Sequence, residues 1–365
     1  MSGRLRVAVI GGGQNCEHDV SLASAASVRA ALDPARYEAV ALTIRRDGRW
    51  LGPDERPLGS TTTDSLAAAL AVLAECDLVL PLVHGPRGED GTLAALCELA
   101  GIPCVGAPVR AGALAMDKWA TKLVAEAVGV RTAPGRLVTG ADLPTVVFDG
   151  PVVVKPAAAG SSFGVRLVGS KEELQPALRA ALVLDDRVLL EQVVVGREID
   201  VAVLDDPDGG RRVGPPLEIR VDGGLFDTAT KYDGSATFVI PAELSETEAA
   251  TLTDSALRVY DALGCRGIAR IDFFLTPDGL VLNEVNTMPG MTAESQVPKM
   301  FAADGLTYPE FLDRLIRSVP VSRGRVRAGR RAGWRRGWRR WFRRGGSRWG
   351  GAVLRRSRRQ GRPAR

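Results

Sequence analysis

Hydrophobic positions fall into two periods along this chain, and the alternation between them predicts a sheet-and-helix protein. Residues 5–10, 37–44 and 78–83 are short apolar runs that read as strands, the last continuous enough for a buried parallel strand. The first runs into Gly11, Gly12 and Gly13 and then a helical stretch over about 20–32, stopped by Asp33 and Pro34. Strand, glycine turn and helix in that order place a ligand site at the C-terminal end of the strand. The strand at 78–83 delivers His84 and Gly85 in the same way, followed by Arg87, Gly88, Glu89, Asp90, Gly91 and Thr92. Glu17 and His18 stand in the first of these turns. Both histidines of the chain therefore sit at strand ends, where a surface-loop histidine is the plain alternative to a functional one.

The middle of the chain continues the pattern. A helix is predicted around 116–128, carrying Asp117, Lys118 and Lys122. A strand at 151–156 ends in Lys155 and opens into three alanines, Gly160, Ser161, Ser162, Phe163 and Gly164. Small residues let backbone N–H groups approach a phosphate, and two hydroxyls add donors. No GxxxxGK[ST] motif is present, and a flexible surface hairpin would read alike. A strand at 188–190 delivers Glu191 and Gln192, and Gly196, Arg197 and Glu198 lead into another at 199–204. Residues 222–235 are polar and aperiodic, hold Lys231 and Tyr232, and have the length of a lid. Helices are predicted at 245–263, opened by a Ser245/Glu248 capping box, and at 306–318.

The segment 270–292 alternates as two strands around a turn. A three-residue loop of Pro277, Asp278 and Gly279 sets Asp272 opposite Glu284 and Arg270 opposite Asn286. Two bare carboxylates about 4 Å apart repel by roughly 4 kcal/mol at an effective dielectric of about 20. A bound cation reverses that sign, and oxygen ligands of this kind suit Mg²⁺ or Mn²⁺ shared with nucleotide phosphates. A solvated hairpin face that happens to be charged shows the same residues.

Composition narrows the classes. The length of 365 residues allows two or three domains, and 45% hydrophobic and 25% charged residues are ordinary for a globular chain. The five scattered cysteines contain no CxxC pair, which argues for reduced thiols in the cytoplasm and against a zinc site or disulfide framework. Residues 7–10 are too short an apolar run for a signal peptide, and no run reaches the ~20 residues of a membrane span. The net charge of +5 conceals a division: from Arg323 onward there are 18 arginines and no acidic residue. The preceding residues hold the other 30 of the 48 basic residues against 43 acidic ones, a net of −13. Nicotinamide binding is disfavoured, because Cys16 stands where the third glycine of GxGxxG belongs.

Taken together, the motifs resemble the D-alanine–D-alanine ligases of the ATP-grasp superfamily. The resemblance is carried by Glu17-His18-Asp19-Val20-Ser21, His84-Gly85, Gly88-Glu89-Asp90-Gly91-Thr92, Met116-Asp117-Lys118, Val154-Lys155-Pro156, Gly160-Ser161-Ser162, Lys231-Tyr232, Arg270-Ile271-Asp272 and the run from Asn283 to Thr292. It covers about residues 5–318. It implies an α/β fold of α+β ATP-grasp type: an N-terminal Rossmann-like parallel-sheet domain (1–108), then a two-part ATP-grasp unit with antiparallel sheets (109–195 and 196–320). A basic tail (321–365) follows.

The resemblance also implies the chemistry. ATP phosphorylates the carboxylate of one D-alanine, and the amine of a second attacks the acyl phosphate to give the dipeptide for peptidoglycan precursors. Asp272, Glu284 and Asn286 are implied as ligands of two Mg²⁺ or Mn²⁺ ions. Lys118, Lys155, Ser161, Ser162, Glu191, Val194, Glu198 and Lys231 are implied for ATP. Glu17, His84, Gly290, Met291 and Ser295 are implied for the two D-alanines. Glu17, Ser161 and Tyr232 are implied as a set that closes the lid, and Arg270 as the group that stabilises the acyl phosphate. Tyr232 favours an amine as second substrate over D-lactate. A homodimer is the family's usual assembly. Gln296 departs from the family pattern, where many members are apolar, and so do the alanines 157–159. The tail is expected to be a disordered extension with no part in ligation. Its Trp334, Trp338 and Trp341 at helical spacing among arginines leave contact with an anionic surface as the other reading. A different carboxylate–amine or depsipeptide ligase is the nearest alternative function.

Overall fold

The structure is a computed structural model, and it describes residues 4–220 and 237–321. The lid positions Lys231 and Tyr232 and the arginine-rich tail lie outside the described residues.

Three sheets follow one another along the chain. The first has the order β3-β2-β1-β4, with β1 (Leu5–Gly12) parallel to β2 (Tyr37–Ile44) and β4 (Leu78–Pro81). The short β3 (Trp50–Leu51) closes one edge antiparallel to β2. Helix His18–Ala31 packs on β1, and both faces of the sheet are covered. That accounts for the continuous apolar runs in the sequence, since a parallel strand buried on both sides has no polar face.

The second sheet, antiparallel throughout, has the order β5-β8-β6-β7: β5 (Gly135–Thr139), β6 (Val152–Pro156), β7 (Arg166–Val168) and β8 (Arg187–Gln192). Helix Lys171–Leu184 covers one face of it. The third, also antiparallel, runs β12-β11-β9-β13-β14, with β10 (Arg211–Val213) paired to β9 (Arg197–Asp205). Its other members are β11 (Leu217–Arg220), β12 (Thr237–Val239), β13 (Ile268–Thr276) and β14 (Gly279–Asn286). Helix Glu246–Leu263 packs beneath it through Leu252, Ala256, Val259, Tyr260 and Leu263. The capping box at Ser245 and Glu248 is present in full.

Two elements differ from the sequence reading. The helix expected at 116–128 is Lys118–Ala127, and a further helix that the sequence reading did not give, Val109–Met116, precedes it, the two separated at Asp117. Asp117 takes an extended conformation, and its carboxylate caps the second helix at the Ala120 N–H (3.0 Å) while pairing with Arg187 (2.7 Å). The hairpin differs more instructively. Thr276 faces Gly279, so the loop is the two residues Pro277 and Asp278, not three. A bulge on β14 at Asn283 then restores Asp272 opposite Glu284 and Arg270 opposite Asn286. Both expected pairings are therefore present, reached through a different turn.

Candidate active site

The loops that carry chemistry converge from all three sheets. Gly85 and Gly160 flank the Glu17 carboxylate so closely that a Cβ at either would lie 2.1 or 2.3 Å from Glu17 Oε2. Only the missing side chains allow that approach. The Ser161 hydroxyl donates to Glu17 Oε1, whereas the buried Oε2 has no partner among the described residues. Ser161 and Ser162 both adopt left-handed backbone (φ 50° and 55°), and the two residues line different cavities. Ser161 lines a cavity with Glu17, His84, Arg270, Gly290 and Ser295. Ser162 lines a second with Lys118, Lys155, Glu191, Val194 and Glu198. Glu284 lines both and joins them.

The second cavity is cationic. Glu191 is buried between Lys155 (2.5 Å) and Lys122, which sits one helical turn beyond Lys118. Burial alone would raise the Glu191 carboxyl, but the two ammonium groups outweigh it and hold it below its ordinary range. Lys118 bridges the loop carbonyl of Ala159 (2.7 Å) and Glu284 (3.2 Å). The bulge aims Asn283 at Lys155, 3.4 Å away, on the strand that also presents Glu284 to Lys118. Alternation along an unbroken strand would put these neighbours on opposite faces. Neither Lys122 nor Asn283 was singled out as a ligand group in the sequence, because their positions depend on the Glu191 contact and on the bulge.

The first cavity is built around Arg270. Its guanidinium forks onto both oxygens of Asp272 (2.7 Å each), lies 3.4 Å from Asp200, and donates to Gln296 (2.5 Å). Burial would lower the Arg270 pKa, but Asp272 and Asp200 raise it above the usual arginine range, so it stays charged. Asn286 donates to Asp272 at 3.0 Å. Gln296, the departure noted in the sequence, thus faces the cavity as an amide beside the arginine.

Both histidines are buried, against the surface-loop reading. His18 bonds the Gly13 carbonyl (2.7 Å) and is structural. His84 Nδ1 donates to the Met288 carbonyl (2.7 Å), which leaves Nε2 to accept from Ser24 (2.8 Å). Burial lowers its pKa and keeps it neutral. Met291 is corrected as a substrate contact. It is fully buried and does not line the cavity; its N–H is held by Ser24 (3.2 Å), and its carbonyl accepts from Tyr308. Ser295 and Gly290 do line it, with Ser295 bonded to Thr292 (2.8 Å). Glu89 was missed as a site residue. Its carboxylate accepts N–H bonds from Gly85 and Met288, both 2.8 Å, and ties the first sheet's loop to the loop after β14. Burial, then Glu17, push its pKa up to about 8 despite those donors.

Family models for the two parts of one enzyme match this chain: "D-ala D-ala ligase N-terminus" over residues 6–107 and "D-ala D-ala ligase C-terminus" over residues 145–317. The chain belongs to the D-alanine–D-alanine ligase family. A member from Mycolicibacterium smegmatis is 40% identical over 364 residues, spanning 88% of this chain and 97% of the relative. One from Mycobacterium sp. (strain KMS) is 42% identical over 369 residues, with the same shares. Among solved structures, the VanG D-Ala:D-Ser ligase of Enterococcus faecalis is 32% identical with a TM-score of 0.73, covering 86% of this chain and 99% of that one. The Bacillus anthracis D-alanine–D-alanine ligase complexed with ATP is 28% identical with a TM-score of 0.70, covering 86% and 97%. The fold is therefore the ATP-grasp fold of these ligases.

Family members use ATP and divalent metal ions. The donor set here suits a hard cation: two carboxylates and a carboxamide from Asp272, Glu284 and Asn286, all oxygen. Among the described residues no three His, Cys, Asp or Glu cluster as a self-sufficient metal cage. Phosphate oxygens would complete the coordination, as Mg²⁺ prefers.

Proposed function

We propose that the joined cavities make D-alanyl-D-alanine for peptidoglycan precursors from two D-alanines and ATP. The observation that carries this is Glu284 as a shared wall between a lysine-lined nucleotide cleft and an acid- and arginine-lined substrate cavity. Phosphoryl transfer from one to the other then occurs across that wall.

Lys118 and Lys155 would hold ATP phosphates, with Ser162 and the loop N–H groups beside them. Glu191 acts mainly by fixing Lys122 and Lys155, so the base would meet the backbone near Val194, and Glu198 the ribose. Glu17 Oε2, buried and unpartnered among the described residues, would accept the ammonium of the first D-alanine. A D-alanine carboxylate oxygen takes the γ-phosphoryl group and ADP leaves. The deprotonated amine of the second D-alanine then attacks the acyl carbon, and the bond to the phosphate oxygen breaks. Arg270 would stabilise the oxyanion of that tetrahedral species. Asp272, Glu284 and Asn286 would hold the metal ions, which neutralise charge during phosphoryl transfer. His84, neutral and doubly bonded, would shape the pocket rather than shuttle protons. Gly290 and Ser295 would flank the second D-alanine, and Lys231 and Tyr232 would close the lid with Ser161, which excludes water from the acyl phosphate.

The division at 1–108, 109–195 and 196–320, a homodimer, and a cytoplasmic location belong to the same proposal. No helix among the described residues is long and apolar enough to cross a membrane. The 32% identity to a D-Ala:D-Ser ligase makes D-serine the second reading for the second substrate. Phosphate release tests both: turnover with D-alanine and ATP alone is expected. Turnover only when D-serine or D-lactate is added would overturn the D-alanyl-D-alanine assignment.

A further inference from the structure

Three neighbouring strands of the third sheet each put an acid into one row. Asp200 on β9, Asp272 on β13 and Glu284 on β14 are register partners. Directly opposite residues of antiparallel strands share a face. On β9 that face alternates with Ile199, Val201 and Val203, which enter the core under helix Glu246–Leu263. Beyond Asp200 the row continues on β11 with Leu217, apolar and fully buried. The row therefore has a dry end at Asp200 and an open end at Glu284, which lines both cavities.

Asp272 and Glu284 have parts in the proposed reaction, and Asp200 has none. Its side chain is 0% exposed and lines neither cavity, so it does not touch a substrate. A carboxylate in such a place needs a cation beside it. Arg270 supplies one, with Nε 3.4 Å from Asp200 Oδ2. The Nε hydrogen itself goes to Asp272 Oδ1 (2.7 Å), so Asp200 meets this nitrogen as charge to charge. Asp272 is heavily committed. Its Oδ2 accepts from Arg270 (2.7 Å) and from Asn286 (3.0 Å) as well. Those three bonds fill most of the roughly four lone-pair positions of a carboxylate. The Asp272 side chain is 3% exposed and lines neither cavity, whereas the arginine forked onto it does line the substrate cavity.

We propose that Asp200 is a positioning residue, the counter-ion that keeps Arg270 at the substrate cavity once Asp272 is shared with a metal ion. The inference rests on the ligase reading above, which gives Asp272 to the metal and Arg270 to the oxyanion. A cation at Asp272 competes for its oxygens and also repels the guanidinium, so the fork must loosen. With Asp272 as its single acid, Arg270 would either withhold that carboxylate from the metal or leave the site with it. Asp200 removes the choice. It stands on the adjacent strand, about 5 Å across the ladder, and main chain fixes it there. The guanidinium passes from one acid toward the other by a side-chain tilt, with no change in the backbone. Gln296, which accepts from the third guanidinium nitrogen (2.5 Å), orients the group but carries no charge to balance it.

The test is Asp200→Asn in the full-length protein, a change of equal size that removes the charge. The first readout is Mn²⁺ binding to the protein with ADP, followed by the electron paramagnetic resonance of free Mn²⁺ and needing no turnover. The second is the kinetics of D-alanine and ATP at saturating Mn²⁺. Outer partners of metal ligands are worth about 10- to 100-fold. Mn²⁺ should therefore bind about 10-fold more weakly to the variant. At saturating metal its kcat should fall by a similar factor while KM for ATP stays as it was. In an Arg270→Gln background the same substitution should leave Mn²⁺ affinity unchanged, because Asp200 acts through the arginine. An equal loss in that background would mean a direct effect of charge on the metal and would overturn the positioning role. Unchanged Mn²⁺ affinity and kcat in the folded single variant would overturn it too. Asp200→Ser, smaller and neutral, is read in the same way if the asparagine variant does not fold. An unsubstituted protein that binds Mn²⁺ and ADP but does not join D-alanines would instead count against the ligase reading, and the Mn²⁺ arm would still decide for or against Asp200.

Discussion

Gly160→Ala is the sharpest test of how the site is held. The added Cβ would stand 2.3 Å from Glu17 Oε2, 3.0 Å from its carboxyl carbon and 3.4 Å from Oε1. Ordinary contact begins near 3.4 Å, so the nearest carboxylate oxygen must retreat by about 1 Å. Gly85 blocks one direction, because its own Cα hydrogens already face the same oxygen, and the Ser161 hydroxyl holds the other. The carboxylate is therefore displaced from where the substrate ammonium would bind. A 1 Å misplacement in a catalytic constellation costs on the order of 10²-fold. Folding should be spared. Gly160 does not need a positive φ, and alanine restricts the unfolded chain, a gain of about 0.4–1 kcal/mol. Coupled ADP-release kinetics should therefore show kcat/KM for D-alanine down by roughly 10²-fold, with an unchanged or slightly raised melting temperature. Gly140→Ala is the control, since a Cβ there meets nothing within 4 Å. A Gly160→Ala enzyme as active as that control would refute the argument that Glu17 is positioned by these glycines.

Two further outcomes follow from buried charge. Glu89 has a folded-state pKa of about 8 against an ordinary 4.5, so the folded protein keeps its proton between those values while the unfolded chain releases it. Its contribution to stability is full below about pH 4.5 and is lost as pH rises through about 8; comparing urea midpoints, Glu89→Gln should be relatively more stable at pH 8.5 than at pH 5.5, and equal differences would sink the assignment. Lys122→Met leaves Glu191 with Lys155 as its single ammonium partner, and should cost about 3 kcal/mol in urea unfolding and raise KM for ATP more than KM for D-alanine. An unchanged midpoint would show that the pair is not a buried one in solution.

Local signals in the sequence were read well where one residue decides one feature. The Ser245/Glu248 box marks a helix start, and the apolar runs at β1, β2 and β4 mark buried strands. The hairpin shows where such reading stops. Its side-chain pairs near Asp272 are as expected, yet the turn is one residue shorter, and the bulge at Asn283 makes up the difference. Packing selects that arrangement, because Leu282 is buried against the core and a one-residue slip would turn it outward. Glu89 was illegible for a related reason: one of its two donors lies 199 residues away, in a loop that only folding brings near. Met291 shows the opposite error, where a motif position borrowed from a resemblance is a core residue here.

The lysine on Glu284 and the arginine on Asp272 mean that the ligase does not wait as a bare acidic floor. Its fixed charges are already matched by its own cations, so an incoming nucleotide enters by exchange: Lys118 gives up a carboxylate for a phosphate as a new counter-charge reaches Glu284. The work of binding is then the difference between two sets of ion pairs of similar strength, not the whole of either. Selectivity in such an exchange resides in fit and spacing, and modest changes around these pairs can retune it without a strong charge being created or lost.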